Sequence, residues 1–215
     1  MRKLLILIIT ISLLQSCVAP RVETIWKAAI PLPYKYEKIL VIAVLPEGND
    51  SLQRDLEKQM VQQLSDYGYH AVSYVDGYSI YNVSRLTQEA AYFTLCEKGI
   101  DAVLTVANVT AASTLQLKKG TRAEYPAAFY YNHIWDYRNS QPTTLRGNKG
   151  TRPVWESILF DLRSLEQQAV LQAKKTPAGN KKGATSWIAK NILEKMISEK
   201  ILFKKSANQP TLKAF

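Results

Sequence analysis

Apolar positions recur along this chain in three patterns, and each predicts a different element. The run "KILVIAVL" (38–45) is continuously apolar, as expected of a central strand covered on both faces. "PEGND" turns the chain, and Asp50 with Gln53 forms a plausible capping pair for a helix. Leu52, Leu56, Met60, Leu64 and Tyr67 follow at helical spacing until Gly68 stops the helix. "LSDYGYHAVSYV" (64–75) and "LCEKGIDAVLTV" (95–106) then share one pattern: a helix end, a glycine suited to a left-handed conformation, and a buried strand. Because the pattern does not occur a third time, it marks two helix-to-strand passages and not a solenoid. Leu86, Ala90 and Phe93 mark the helix between the two passages, after a loop at "DGYSIYN".

From Ile100 the character of the chain changes to β. Strands are expected over 100–117 and 125–138, at "VWESILFDL", and at "QAVLQAKK". "TSWIAKNILEKMISEKIL" closes the series as an amphipathic helix capped by Thr185 or Ser186. The predicted order is β-α-β-α-β-β-β-β-α. Early crossovers require parallel strands, and the later strands read as antiparallel hairpins. The expected fold class is α/β (α+β), a single mixed sheet with helices packed on it.

The first residues have another character. Arg2 and Lys3 precede an apolar run over 4–14, which is shorter than the roughly 20 residues a bilayer-spanning helix needs. A positive start and a short apolar core describe an export signal. Leu14, Gln15 and Ser16 lead straight into Cys17, which resembles the lipobox of bacterial lipoproteins. The resemblance implies cleavage before Cys17, a diacylglycerol thioether on its sulfur and acylation of the new amino group. Several acyl chains on one residue hold a protein stably where one would not. By analogy with enterobacterial sorting, Val18 in place of Asp points to the outer membrane, with the domain facing the periplasm and surface exposure left open. The expected organisation is a signal over 1–16, a tether over 17–37, a domain over 38–204 and a basic flexible tail over 205–215. The 20 residues after Cys17, 18–37, reach at most about 70 Å. Ile25 and Trp26 are the tether positions suited to packing on the domain.

With that lipobox in front, the element order resembles the periplasmic lipoprotein domains of the curli-secretion pore, the penicillin-binding-protein activators and the amino-terminal domain of TolB. The resemblance spans 38–203 and rests on "KILVIAVL", "RDLEKQMVQQLSDYGYHAVSYV", "KGIDAVLTV" and "VWESILFDLRSLEQQAVLQAKK". It implies a non-catalytic domain that binds envelope proteins or assembles with itself. Only Cys17 carries over as a functional residue.

Composition narrows the partners. The chain has 28 basic and 18 acidic residues, for a formal net charge of +10. Export makes nucleic acid an unsuitable partner for that charge and favours anionic headgroups, an anionic polymer or an acidic protein face. With Cys17 acylated, Cys96 has no thiol to pair with, and it reads as a small buried apolar residue. His70 and His133 lack a second ligand at metal spacing, and neither a phosphate loop nor a nucleophile elbow occurs. Glu156 and Asp161 fall on opposite faces of one strand and make no catalytic pair. No catalytic residue, metal or cofactor is expected.

Two binding candidates remain. Phe129, Tyr131, His133, Trp135 and Tyr137 share one side of a strand. They form either a core face or an open aromatic face for a glycan, a small ligand or a partner's anchor residue. The second is a basic rim of Arg146, Lys149, Arg152, Lys174, Lys175, Lys181 and Lys182, which topology gathers at one sheet end as either a solvated edge or a contact for an acidic partner. An envelope enzyme built from unremarkable residues is the remaining alternative.

Overall fold

A computed structural model describes residues 21–29, 36–45, 48–77, 88–109, 154–174 and 181–204. Six strands form one mixed sheet: β1 (Arg21–Lys27), β2 (Lys38–Val44), β3 (His70–Ser73), β4 (Ala102–Val109), β5 (Val154–Asp161) and β6 (Glu166–Lys174). Their spatial order is β1-β6-β5-β4-β2-β3. β2 runs parallel to β3 and β4, whereas β4, β5, β6 and β1 alternate in direction. The helices are α1 (Asp50–Asp66), a single turn α2 (Tyr74–Gly77), α3 (Gln88–Glu97) and α4 (Lys181–Ser198). The α/β class and the mixed sheet agree with the sequence pattern. The strand expected over 125–138 lies outside the described residues, as do the signal over 1–16 and the tail over 205–215.

One face of the sheet, bearing Ile39, Val41, Leu104, Val106 and Leu171, packs under α1 and α4. Leu52, Leu56, Met60 and Leu64 of α1 meet Ile188, Ile192, Leu193 and Met196 of α4 there, at the 3.6-residue spacing that puts them on one stripe. The other face carries Leu40, Ile42, Val103, Ile158 and Val170, against which α3 lays Leu95. Covering both faces explains why β2 is apolar at every position from Ile39 to Val44.

The two echoed passages end alike. After α1, Tyr69 N donates to Leu64 O at 2.9 Å and Gly68 N to Ser65 O at 2.8 Å; after α3, Ile100 N donates to Leu95 O at 3.0 Å and Gly99 N to Cys96 O at 2.9 Å. Gly68 (φ 85°) and Gly99 (φ 70°) take the left-handed position that this cap requires. α4 ends with the same pair of bonds, Ile201 N to Met196 O and Lys200 N to Ile197 O, but with Lys200 at φ 60° in place of glycine.

Several expectations are corrected. The tether assigned to 17–37 contains β1, an edge strand paired with β6 from Arg21↔Lys174 to Lys27↔Ala169. A bulge at Ile25 breaks its alternation and buries that residue on the α3 face, which is why no clean period of two reads out of the sequence. α4 starts at Lys181, so Thr185 lies buried within it and is not its cap. At α1 the N-cap is Asn49 and makes no side-chain capping bond, while Gln53 Nε2 turns inward to Glu57 Oε1 at 3.3 Å. On α3 the inward stripe is Ala91 and Leu95; Phe93 is 63% exposed, and Cys96 is exposed rather than buried.

Candidate functional site

Each carboxylate buried among the described residues could be a catalytic group, so its partners decide its role. Glu57 of α1 is fully buried, and burial pushes its carboxyl above the usual range against four donors. Ala43 N donates to Oε1 at 2.9 Å, Ser73 Oγ and Val75 N donate to Oε2 at 2.6 and 2.9 Å, and Gln53 Nε2 is the fourth. The register explains the arrangement. β3 pairs with β2 only as far as Val41↔Ser73, so the Ala43 amide has no strand beside it, and the Glu57 carboxylate takes the missing strand's place. The same carboxylate caps the turn of α2 through Val75.

Asp101 performs a comparable task at the start of β4. It accepts from Glu37 N at 2.7 Å, Lys38 N at 3.1 Å and Arg163 Nη2 at 2.9 Å, joining β2, β4 and the β5–β6 turn. Burial pushes its carboxyl up, and those donors oppose the shift. Asp161 accepts from Arg163 N at 3.1 Å and from Ser164 N and Oγ at 3.3 and 2.9 Å, which folds the turn that places Leu165 at φ 57°. Glu156 accepts from Gln172 Nε2 at 2.8 Å on the neighbouring strand. Register puts Glu156 opposite Ala107 and Asp161 opposite Ala102, on opposite faces of the sheet as the period of two requires. These acids tie backbone and turns together. Periodicity placed Glu156 and Asp161 on their strand but did not single out Glu57 or Asp101; an acidic residue one position from a core stripe, as Glu57 is beside Leu56, was the available signal.

His70 is exposed at the first position of β3. Among the described residues, no cluster of three His, Cys, Asp or Glu side chains could hold a metal ion. No described helix is long and apolar enough to cross a membrane.

The sequence-derived candidates fall out unevenly. Cys17, the aromatic positions Phe129, Tyr131, His133, Trp135 and Tyr137, and the rim positions Arg146, Lys149, Arg152 and Lys175 lie outside the described residues. Lys181 and Lys182 open α4, and their side chains also lie outside that description. Lys174 is described: it faces Arg21 across the β1–β6 pair and Val154 across the β5–β6 pair. The first residue of β5 and the last of β6 therefore share a sheet end. The charge there is not purely basic. Glu23 accepts from Lys174 Nζ at 3.0 Å and pairs with Arg21, and these two cations hold its carboxyl below the usual range.

The termini of the elements give this end a consistent sense. β2 and β4 finish here, β1 and β5 start here, and α1 begins just beyond Val44. α4 runs away from it, since Lys27 Nζ, at the opposite end of β1, reaches Glu199 O and Oε2 at 3.2 and 2.8 Å just after the helix. At about 1.5 Å per residue, α4 spans roughly the length of the sheet and has its N-terminus at the Arg21 end.

Among the described residues, exposed apolar surface is sparse by contrast. Phe93 on α3 stands edge-on to Tyr92 with ring centroids 5.6 Å apart, and Leu165 and Phe203 are the other large apolar residues exposed among those described.

No protein family and no curated protein matches the chain. Solved structures with a similar chain course include the PelC dodecamer from Paraburkholderia phytofirmans, at 14% identity and TM-score 0.43, covering 81% of this chain and 95% of that one. A methionine variant of the same dodecamer is similar at 12% identity and TM-score 0.44, covering 81% and 96%. The lipoprotein GNA1162 from Neisseria meningitidis is similar at 12% identity and TM-score 0.36, covering 75% and 99%.

Proposed function

We propose that this chain is a lipid-anchored, non-catalytic module of a bacterial cell envelope that binds envelope proteins or assembles with itself, facing the periplasm from the outer membrane. One observation carries the reading: a stretch that resembles a lipobox, ending at Cys17, is joined after three residues to a folded α/β domain that begins with β1 at Arg21. The commitment of Glu57, Asp101 and Asp161 to backbone and turn bonds supports a binding role over a catalytic one. Phe93, exposed beside Tyr92, supplies an apolar anchor of the kind that protein interfaces bury at their centres.

Metabolic palmitate labelling and detergent-phase partitioning test the anchor. The wild type is expected to take up label and enter the detergent phase, and Cys17→Ser to do neither; equal labelling of the variant removes the lipoprotein reading. Crosslinking in intact cells tests the module. A discrete adduct, either with an envelope protein or with a second copy, is expected in the wild type and should weaken in Phe93→Ala, while a chain that stays uncrosslinked and monomeric across reagents contradicts a binding role.

A further inference from the structure

The position of β1 changes the geometry of the anchor. Only Val18, Ala19 and Pro20 separate Cys17 from the first residue of the sheet, so Arg21 lies at most about 14 Å of extended chain from the acylated residue. The headgroup layer of one leaflet is itself roughly 5–7 Å thick. A domain held this closely cannot tumble freely on its lipid, and one end of it must meet the headgroups. The register identifies that end as the one formed by Arg21, Lys174 and Val154.

Its charge suits the contact. Arg21 and Lys174 are exposed, and Glu23 offsets one of the two. α4 opens at the same end with no acidic residue in its first turn, so the positive pole of the helix lies there. The first turns of α1 and α3 carry Asp50 and Glu89 instead.

We propose that the Arg21–Lys174–α4 end of the domain docks on anionic phospholipid headgroups, so that the strands stand away from the bilayer. The opposite end, with Asp101, the Asp161–Glu166 turn and the end of α3, then lies about 25 Å further out, the length of an eight-residue strand such as β4. The proposal rests on the reading of Cys17 as the acylated residue. It replaces a loose tether with a fixed orientation and leaves Phe93 and the outer turns to meet partners.

The test uses the full acylated protein reconstituted in phosphatidylcholine vesicles with and without phosphatidylglycerol. With Cys17 acylated, Cys96 is the thiol open to a fluorophore, and it sits near the outer end of α3. In a Cys96→Ser background, Gly183→Cys places the fluorophore in the first turn of α4 instead. Nitroxide on the lipid headgroups should quench the label at 183 several-fold more than the label at 96. That contrast should shrink at high salt, without phosphatidylglycerol, and in the double variant Arg21→Glu, Lys174→Glu. Equal quenching at both sites, or stronger quenching at 96, overturns the orientation; a contrast indifferent to phosphatidylglycerol overturns the anionic contact. Mass spectrometry of the N-terminal peptide separates the two levels. With acyl chains present, failure falls on the docking proposal alone, and without them the lipoprotein reading fails as well.

Discussion

The parallel half of the sheet, β3–β2–β4, and the antiparallel half, β5–β6–β1, are built from different residues. From Ile39 to Val44 and from Ala102 to Ala107 the parallel strands bury apolar side chains at every position but Thr105. The antiparallel strands bury Glu156, Ser157, Asp161, Gln167, Gln168 and Gln172 among their apolar residues. In the first half, burial on both faces does the work, and polar groups enter where strand pairing runs out, at Glu57 and Asp101. In the second, polar pairs across strands and bulges at Ile25 and Gln168 shape the sheet toward its edge. Loss of a buried acceptor is therefore expected to cost more in the parallel half than in the antiparallel one.

The contrast can be broken most sharply at Glu57. Glu57→Ala leaves the buried Ala43 amide and Ser73 hydroxyl without their acceptor and should cost about 3–5 kcal/mol, read as a lower urea midpoint with an unchanged slope. Asp161→Ala removes the acceptor of a turn that solvent reaches and should cost less, about 1–2 kcal/mol. If the Asp161 variant proves the weaker protein, loss of a buried acceptor does not cost more in the parallel half.

The three helix ends differ in the residue that takes the left-handed position. Gly99→Ala forces a Cβ into the left-handed position and should cost about 1–2 kcal/mol, whereas Lys200→Gly relieves the same strain and should gain about 1 kcal/mol. Opposite shifts in melting temperature are the expected result. Within the antiparallel half, Ser157 Oγ is buried without a hydrogen-bond partner among the described residues, so Ser157→Ala should leave stability unchanged or raise it by up to about 1 kcal/mol, read from the urea midpoint.

The smallest effect concerns the open edge. Lys195 and Lys27 hold the Glu199 carboxyl down to about 2, tying α4 to β1. A depressed carboxylate contributes stability above its unfolded value near 4.5 and loses it as pH falls toward 2. The pair is partly exposed, so the contribution is a few tenths of a kcal/mol and is screened by salt. The urea midpoints of wild type and Glu199→Gln should therefore differ slightly at pH 7 in low salt and converge near pH 2.

Legibility followed the same division. "KILVIAVL" could be read as a buried strand because its run is long and unbroken, and Gly68 and Gly99 announced their helix ends because a left-handed residue without strain is nearly always glycine. The end of α4 announced nothing, since Lys200 pays the strain itself. β1 stayed hidden because an edge strand needs partners on one side only, and a bulge erased its period. Phe93 and Cys96 were misplaced for a simpler reason: in a ten-residue helix a one-position change of phase turns the apolar stripe, and composition alone does not fix the phase.

The sequence by itself determined the helix-to-strand passages, the mixed character of the sheet and the lipobox resemblance, because each rests on spacing within a short segment. Tertiary structure alone decided that residues 21–27 belong to the sheet, that Glu57 stands in for a missing strand and that Arg21 and Lys174 share one end. Those facts depend on contacts between residues far apart in the chain, such as the 151 positions between Glu23 and Lys174, and no local pattern encodes which distant partner completes a hydrogen bond.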